Sequence, residues 1–353
     1  MTAHLKENIL VVGATGFLGP ALVEELTLAG FRVICGVRNL QKAAIQLPFP
    51  EIHFLKINLN TDLDPQVWLM RLQEHKIHRV VNNVGIATCF GEQSLENVNV
   101  LAPLALFKAM QIHGEKQQVL SQSANFPRVI QISTTGVDWP DCGEFPYPAS
   151  KLKLDNALLK LKDLPCIIIR PNVIYEPARG HLLLEQIARM PINFSIGDSR
   201  IQPIHCREIA IGVARLLKKK STTAGTILRA TGPAAMTWEE IFENSAAALG
   251  KTFFCSCSVP LRLAQFITMI LQKLPEKLLI RLGILSKMDP ETMLMMTKGS
   301  TGSNADWLQS TDIQPIRLEE CYQHYRKGLR AYAAFIESIR QSSRKESANN
   351  TAE

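Results

Sequence analysis

Three glycines at intervals of three, directly after a short apolar run, constrain this chain more than any other feature. The segment Ile9-Leu-Val-Val-Gly-Ala-Thr-Gly-Phe-Leu-Gly19 sets Gly13, Gly16 and Gly19 between a strand pattern and the start of a helical one. Gly13 permits a tight turn, Gly16 lets the backbone approach a pyrophosphate, and Gly19 lets the helix pack close to the strand. The first amides of that helix then face the phosphates. The spacing is GxxGxxG rather than GxGxxG, so its context carries the weight: strand before, helix after. A glycine-rich turn without a ligand is the competing reading, and dinucleotide binding is the expectation.

The first half of the chain continues in the same alternation, the pattern of a parallel sheet with covering helices. Strands are expected at Ile9–Val12, Arg32–Val37, His53–Ile57, Arg79–Asn82, Arg128–Ser133 and Cys166–Arg170. Helices are expected over Leu18–Leu28, Pro65–Glu74, Pro103–Ile112 and Ser150–Lys162. This is an α/β chain on a doubly wound parallel sheet. After Pro171 the regularity loosens. A strand at Thr226–Ala230 returns to the sheet, Trp238–Leu249 is an amphipathic helix, and 232–315 reads as mostly helical. A last helix is expected over Leu318–Ile339, and the polar run Gln341–Glu353 is expected to be disordered. Residues 1–171 thus read as the dinucleotide-binding domain, 172–340 as a smaller, mostly helical C-terminal lobe for substrate or partner, and 341–353 as a tail.

The 353 residues are 46% hydrophobic and 20% charged, with a net charge of +7. That is ample for a core, and the mild basic excess favours anionic ligands. Nucleic acid is not an expected partner: the basic clusters at 218–220 and 326–345 read as solvated charge at helix ends and in a loose tail. Eight cysteines are scattered without paired CxxC spacing, so reduced, packed thiols are expected, with Cys255 and Cys257 buried on one side of a strand. No metal is expected: His205 stands between apolar residues with no carboxylate at ligand spacing, and reads as a packed histidine. Residues 1–8 are polar and lack a secretory core, which predicts a cytoplasmic protein. The apolar stretch Val259–Leu285 is broken by Arg262, Lys273, Glu276 and Arg281, so no transmembrane segment is expected. Residues 261–288 retain a possible docking face for a protein or a membrane surface.

Cofactor choice is set at the end of the second strand, where an acidic residue would hold the ribose hydroxyls of NAD. Here the strand ends Val33-Ile-Cys-Gly-Val-Arg-Asn39, with no carboxylate. Arg38 suits a 2′-phosphate and can stack on adenine, so NADP(H) is favoured over NAD. Further on, Tyr147-Pro-Ala-Ser-Lys151 puts a phenol and an ammonium four residues apart on one helix face. The ammonium is expected to lower the phenol's pKa, fitting Tyr147 for general acid–base work near neutral pH. Ser133, Thr134 and Thr135 close the preceding strand and offer hydroxyls for a substrate oxygen.

Taken together, Val12-Gly-Ala-Thr-Gly-Phe-Leu-Gly19, Val80-Val-Asn-Asn-Val-Gly85, Asn97-Val-Asn-Val100, Arg128-Val-Ile-Gln-Ile-Ser133, Tyr147 to Lys151 and Ile168 to Pro177 resemble the extended or atypical short-chain dehydrogenase/reductase superfamily. The run Arg128–Val137 and the Arg38 strand end most resemble the branch that holds the nucleotide-binding accessory subunit of respiratory complex I. The resemblance implies a Rossmann fold and cofactor contacts from Gly13, Thr15, Gly16, Phe17, Leu18, Gly19, Arg38, Asn58, Val84, Lys151 and Pro171. It makes Tyr147 the proton donor or acceptor, Lys151 its partner and a ribose ligand, and Thr135, then Ser133, the substrate-polarising hydroxyl; Asn99 supports the site. Asn58 stands where many relatives carry Asp, Val84 where they carry a small residue, and Glu176 where they carry glycine. Two functions follow: an NADP(H)-dependent oxidoreductase or epimerase acting by hydride transfer on a small carbonyl or hydroxyl compound, or a non-catalytic NADPH-binding accessory or assembly protein of a larger respiratory complex. A sugar-nucleotide enzyme would further need a cationic diphosphate site, for which Arg179 or Arg207 is available.

Overall fold

The computed structural model describes residues 7–349 except 88–92, 119–127, 178–191, 196, 220–224, 272 and 274–289. Its first elements alternate strictly: β1 (Asn8–Val12), α1 (Gly19–Leu28), β2 (Arg32–Val37), α2 (Leu40–Gln46), β3 (His53–Lys56), α3 (Pro65–Glu74), β4 (Ile77–Asn82), α4 (Ala102–Gln118), β5 (Val129–Ile132), α5 (Pro146–Leu159) and β6 (Cys166–Pro171). A π-helical turn, Asn97–Leu101, leads into α4. The chain goes on through β7 (Ile174–Tyr175), β8 (Ile192–Ser195), β9 (Arg200–Ile201), β10 (Ile204–His205), α6 (Cys206–Lys218), β11 (Thr226–Ala230), β12 (Met236–Thr237), α7 (Trp238–Ala248), β13 (Cys255–Ser258), α8 (Leu261–Leu271), α9 (Pro290–Met296), α10 (Ala305–Thr311), α11 (Leu318–Arg326) and α12 (Leu329–Asn349).

Seven strands pair in parallel in the order β11-β6-β5-β4-β1-β2-β3. The order reverses between β1 and β4, and such a switch point opens a crevice at the carboxyl ends of the strands. All five residues of β1 are buried, as a strand covered on both faces requires. Its alternation divides the core. Leu10 and Val12 join Trp68 and Leu72 of α3, Leu106 and Met110 of α4 and Leu154 and Leu158 of α5 in one cluster, while α1 packs along β1 and β2. Helix α3 starts on Pro65, and Asp64 accepts from the amide of Gln66, a start signal with a pre-set φ and a satisfied amide.

The chain divides into two compact units. The first comprises 1–171, 207–230 and 306–311; the second comprises 172–206, 231–305 and 312–353. In the second, three two-stranded pairs, β7 with β10, β9 with β12 and β8 with β13, accompany α7, α8, α9, α11 and α12.

Four expectations are corrected. The last helix is two, because Gly328 adopts φ +105° between α11 and α12, a backbone state that ends helices. Helix α12 then runs to Asn349, across most of the segment read as disordered, since 341–349 offer good helix formers and no breaker. Cys255 is exposed and Cys257 only half-buried; Ser256 is exposed as well, so neither face of that ribbon is covered at these positions. Helix α5 begins four residues before the expected Ser150, with Pro146 in its first turn, and so carries Tyr147 within it.

Trp68 ties this core together: it is fully buried and donates from Nε1 to the carbonyl of Asp62 at 2.8 Å. Trp68→Ala is expected to lower stability by ~3–5 kcal/mol, measured as a shift in the denaturant midpoint of unfolding. A loss under about 1 kcal/mol would show that the site collapses around the missing ring.

Candidate functional site

The turns that follow β1, β2, β3 and β4 line one cleft of about 500 Å³. Gly13, Thr15 and Gly16 come from the first turn, Arg38 and Asn39 from the second, Asn58 and Asn60 from the third, and Asn83, Val84 and Gly85 from the fourth. The glycines are required by contact. Gly13 has φ +82°, and a Cβ there would stand 2.8 Å from the carbonyl oxygen of Asn83; one on Gly19 would stand 2.2 Å from that of Ala14. Asn83 closes the turn from the other side, its amide donating to Val12 and its side chain to the carbonyl of Gly13 at 3.2 Å. Leu18, which precedes helix α1, offers no side-chain cap, and the first turn holds no acid, so the helix's positive end is left for an anion.

The mouth of the cleft is cationic. Arg38 lines it, and so does Lys42 of α2, a helix the sequence reading missed; its signal was Asn39, whose side chain accepts from the amide of Lys42 at 2.9 Å. Among the described residues, none that lines it is Asp or Glu. Of the residues expected to bind cofactor, Gly13, Thr15, Gly16, Arg38, Asn58 and Val84 line this cleft, whereas Phe17, Leu18, Gly19, Lys151 and Pro171 do not. Asn58 also braces its own turn, accepting from the amide of Asn60.

Tyr147 and Lys151 meet the cleft at Gly85. A Cβ on Gly85 would lie 2.9 Å from Lys151 Cε and 3.2 Å from Tyr147 Cε2. Lys151 is buried and donates from Nζ to the carbonyls of Val84 and, at 2.8 Å, Ile132. It lies 6.0 Å from the centre of the Tyr147 ring. Asn99 supports this arrangement: it pairs with both backbone groups of Ile86 and donates to Ser150 Oγ at 2.9 Å. Asp155 was missed. It continues the spacing of 147 and 151 by another four, and its carboxylate accepts from Ser133 Oγ at 2.7 Å and faces Arg170. Ser133 is therefore engaged, Thr134 caps the short helical turn Thr135–Asp138, and Thr135 is the hydroxyl left without a partner among the described residues.

The electrostatics correct one expectation. Burial, and after it the charge of Asp155, push the Tyr147 phenol up to about 12, where an activating ammonium would lower it; the Nζ of Lys151 is engaged by the carbonyls of Val84 and Ile132. Burial draws Lys151 down to about 8 against the pull of Asp155. Burial likewise raises Asp155, against Ser133 and Arg170.

A second buried cluster, in the second unit, gathers residues far apart in sequence. Glu176, His205 and Cys206 place ligand-type atoms within 4.8 Å of one another. A carboxylate does stand beside His205 after all, at 3.5 Å, which spacing along the chain could not reveal. The Tyr332 hydroxyl sits among them, 2.7 Å from His205 Nε2 and bonded to Glu176 Oε1, so the cluster is a closed hydrogen-bond network. Burial opposes the imidazolium of His205, but Cys321 and Glu176 outweigh it and hold its pKa near 10. Burial equally opposes the Glu176 carboxylate, which His205, Cys206 and Tyr332 bring down to about 2. Arg207, a candidate for a second diphosphate, is paired with Glu24 at 2.6 Å and Glu25 at 3.4 Å; Arg179 and Cys89 lie outside the described residues.

Among the described residues no helix is long and apolar enough to cross a membrane. The profile of the NAD dependent epimerase/dehydratase family matches residues 9–227. Among curated proteins, the chain is 23% identical over 239 residues to the mitochondrial NADH dehydrogenase [ubiquinone] 1 alpha subcomplex subunit 9 of Dictyostelium discoideum, covering 66% of this chain and 61% of that protein. The chain thus spans about three fifths of that relative's length. Among solved structures, dTDP-glucose 4,6-dehydratase of Bacillus anthracis with NAD superposes at TM-score 0.62 and 18% identity, covering 91% of this chain and 97% of that one. The quinone oxidoreductase QOR2 of Escherichia coli with NADPH superposes at 0.63 and 15% identity, covering 90% and 99%.

The His205–Glu176 pair sets a pH dependence. His205 is raised from 6.5, so its stabilisation is complete below pH 6.5 and is lost as pH rises toward about 10. Glu176 is lowered from 4.5, so its share is lost as pH falls from 4.5 toward about 2. Thermal unfolding followed from pH 6.5 to 10 is expected to show a falling midpoint, flattened in His205→Gln. Equal slopes in the two proteins would remove the charge from His205.

Proposed function

The chain belongs to the NAD dependent epimerase/dehydratase family, and from that premise we propose that it is an NADP(H)-dependent reductase of a small carbonyl compound. The carrying observation is the contact at Gly85, which joins the dinucleotide cleft to Tyr147 and Lys151. The cleft suits a dinucleotide: Gly13 in its lining and Gly19 just beyond stand where a side chain would collide with backbone, and an uncapped helix end adjoins them. Arg38 and Lys42 in the lining, with no carboxylate among its described residues, favour the 2′-phosphate of NADP(H) over the bare ribose of NAD(H).

A nicotinamide dinucleotide held by these turns would be the source of hydride for the carbonyl carbon. The chain supplies the rest. Tyr147, with its phenol raised to about 12, stays protonated at neutral pH and serves as proton donor to the carbonyl oxygen, the role reduction demands. Thr135 offers that oxygen a second hydrogen bond. Lys151, drawn down to about 8, remains mostly an ammonium at neutral pH and holds the edge of the cleft against α5. Ser133, bonded to Asp155, positions the strand end. The name of the Escherichia coli neighbour makes quinones the first carbonyls to try, and that of the Bacillus anthracis one adds dTDP-sugars.

Two observations favour a second reading, a cofactor-binding accessory protein of a respiratory assembly. The phenol is not activated by its lysine, and the curated relative is a complex I subunit by name. Tyr147→Phe separates the two. Under the reductase reading it lowers kcat by roughly 10²–10⁴ with NADPH affinity unchanged; a wild-type protein that binds NADPH yet reduces no quinone, sugar nucleotide or simple ketone supports the accessory reading. For cofactor choice, Arg38→Ala is expected to weaken NADPH roughly 10- to 100-fold and leave NADH binding as it was. Wild-type protein that prefers NADH in a fluorescence titration overturns the assignment to NADP(H).

A further inference from the structure

Helix α8 carries a second apolar face that is exposed among the described residues. One side of it is buried: Ala264 packs with Met293 of α9, and Leu261 and Val259 pack against them. The other side carries Leu263, Phe266, Ile267 and Ile270 at the i, i+3, i+4, i+7 spacing of one stripe, each between 42% and 55% exposed. Met269, 48% exposed, borders it. At ~100° per residue the exposed arc spans roughly 160° of the helix. A convex apolar arc of that width is unlike the isolated exposed leucines of ordinary surfaces.

Charge says what would cover it. Arg262 is exposed one turn before Phe266, and Lys273 is exposed just beyond the end of the helix. No Asp or Glu occurs between Glu243 and Glu276, while Lys251, Arg262 and Lys273 all fall within that stretch, in a chain of net charge +7. The helix has 11 residues, so it is ~16 Å long against a hydrocarbon core of about 30 Å, and it can only lie along a surface. We propose that α8 docks this chain on an anionic lipid surface, Phe266, Ile267 and Ile270 entering the boundary between headgroups and acyl chains and Arg262 and Lys273 contacting lipid phosphates.

Full-length protein mixed with vesicles of phosphatidylcholine, with and without phosphatidylglycerol, tests this by co-sedimentation. Binding is expected on the anionic vesicles, about tenfold weaker or less on neutral ones, and reduced by high salt. Phe266→Asp should abolish it. Arg262→Ala and Lys273→Ala should each weaken it about fivefold. Circular dichroism and the thermal midpoint report folding independently of any cofactor, and Phe266→Ser replaces the aspartate variant should that one unfold. The proposal is overturned by equal binding to both kinds of vesicle, by wild-type affinity in Phe266→Asp, or by a wild-type dimer in sedimentation equilibrium that Phe266→Asp makes monomeric. The last result would give the face to a second copy of the chain.

Discussion

A buried ammonium holds the first unit's site together. Lys151 is almost wholly withdrawn from water and gives its Nζ to the carbonyls of Val84 and Ile132, which stand just past β4 and at the end of β5. Withdrawing such a charge costs several kcal/mol, on the order of the stability of a whole domain, unless dipoles and hydrogen bonds replace the water. Two strand-end carbonyls do so, and Asp155, one turn along the same helix, adds its attraction. The lysine thereby fixes α5 against both strands and Tyr147 with it. It also dictates the residue at 85: the space a side chain would need is filled by Lys151 Cε.

That clamp explains which parts of the site could be read from sequence. The spacing of Tyr147 and Lys151, the glycines and Arg38 are carried by side-chain identity at short range, and they are legible. Carbonyl partners are not, because every residue has one. Sequence proximity suggested that Lys151 would activate Tyr147, but the ammonium, 6.0 Å from the centre of that ring, is engaged by the strand-end carbonyls, and burial dominates the phenol. Asp155 was within reach, since it continues the same four-residue step; its bond to Ser133 was not, since that requires knowing how β5 lies beside α5.

The fold divides along the same line. Strands Arg32–Val37 and Thr226–Ala230 and helix Pro65–Glu74 end where Gly, Pro and capping residues punctuate the sequence. Helix α2 escaped notice because its seven residues bury only Ala43 and have no apolar face to betray them. In the second unit the difficulty is range. Its strands are two to four residues long and pair across long separations, as Cys255 does with Ile192, and its buried network joins Glu176, His205 and Tyr332 over a separation of 156 residues. Such contacts are set by packing, which single-residue patterns do not encode.

The two tasks of the first unit draw on different residues. The turns after β1 to β4 line the cleft; in the proposed reduction the proton chemistry would fall to Tyr147 and Thr135, beside α5 and β5. A chain could therefore lose its reaction and keep its cofactor, because a function sits in a site and not in the fold that carries it. Lys151 belongs to neither task alone. Removing it would take from the carbonyl of Val84 its ammonium donor and from that of Ile132 one of two side-chain donors, Gln131 Nε2 being the other, at about 1–3 kcal/mol for a buried polar group left unpaired, so folding would retain this lysine even in a chain that reduces nothing. The lysine of the YxxxK pattern is accordingly weaker support for catalysis than the pattern suggests. The phenol of Tyr147 and the free hydroxyl of Thr135, which the fold does not need in this way, bear more directly on whether the bound dinucleotide reacts.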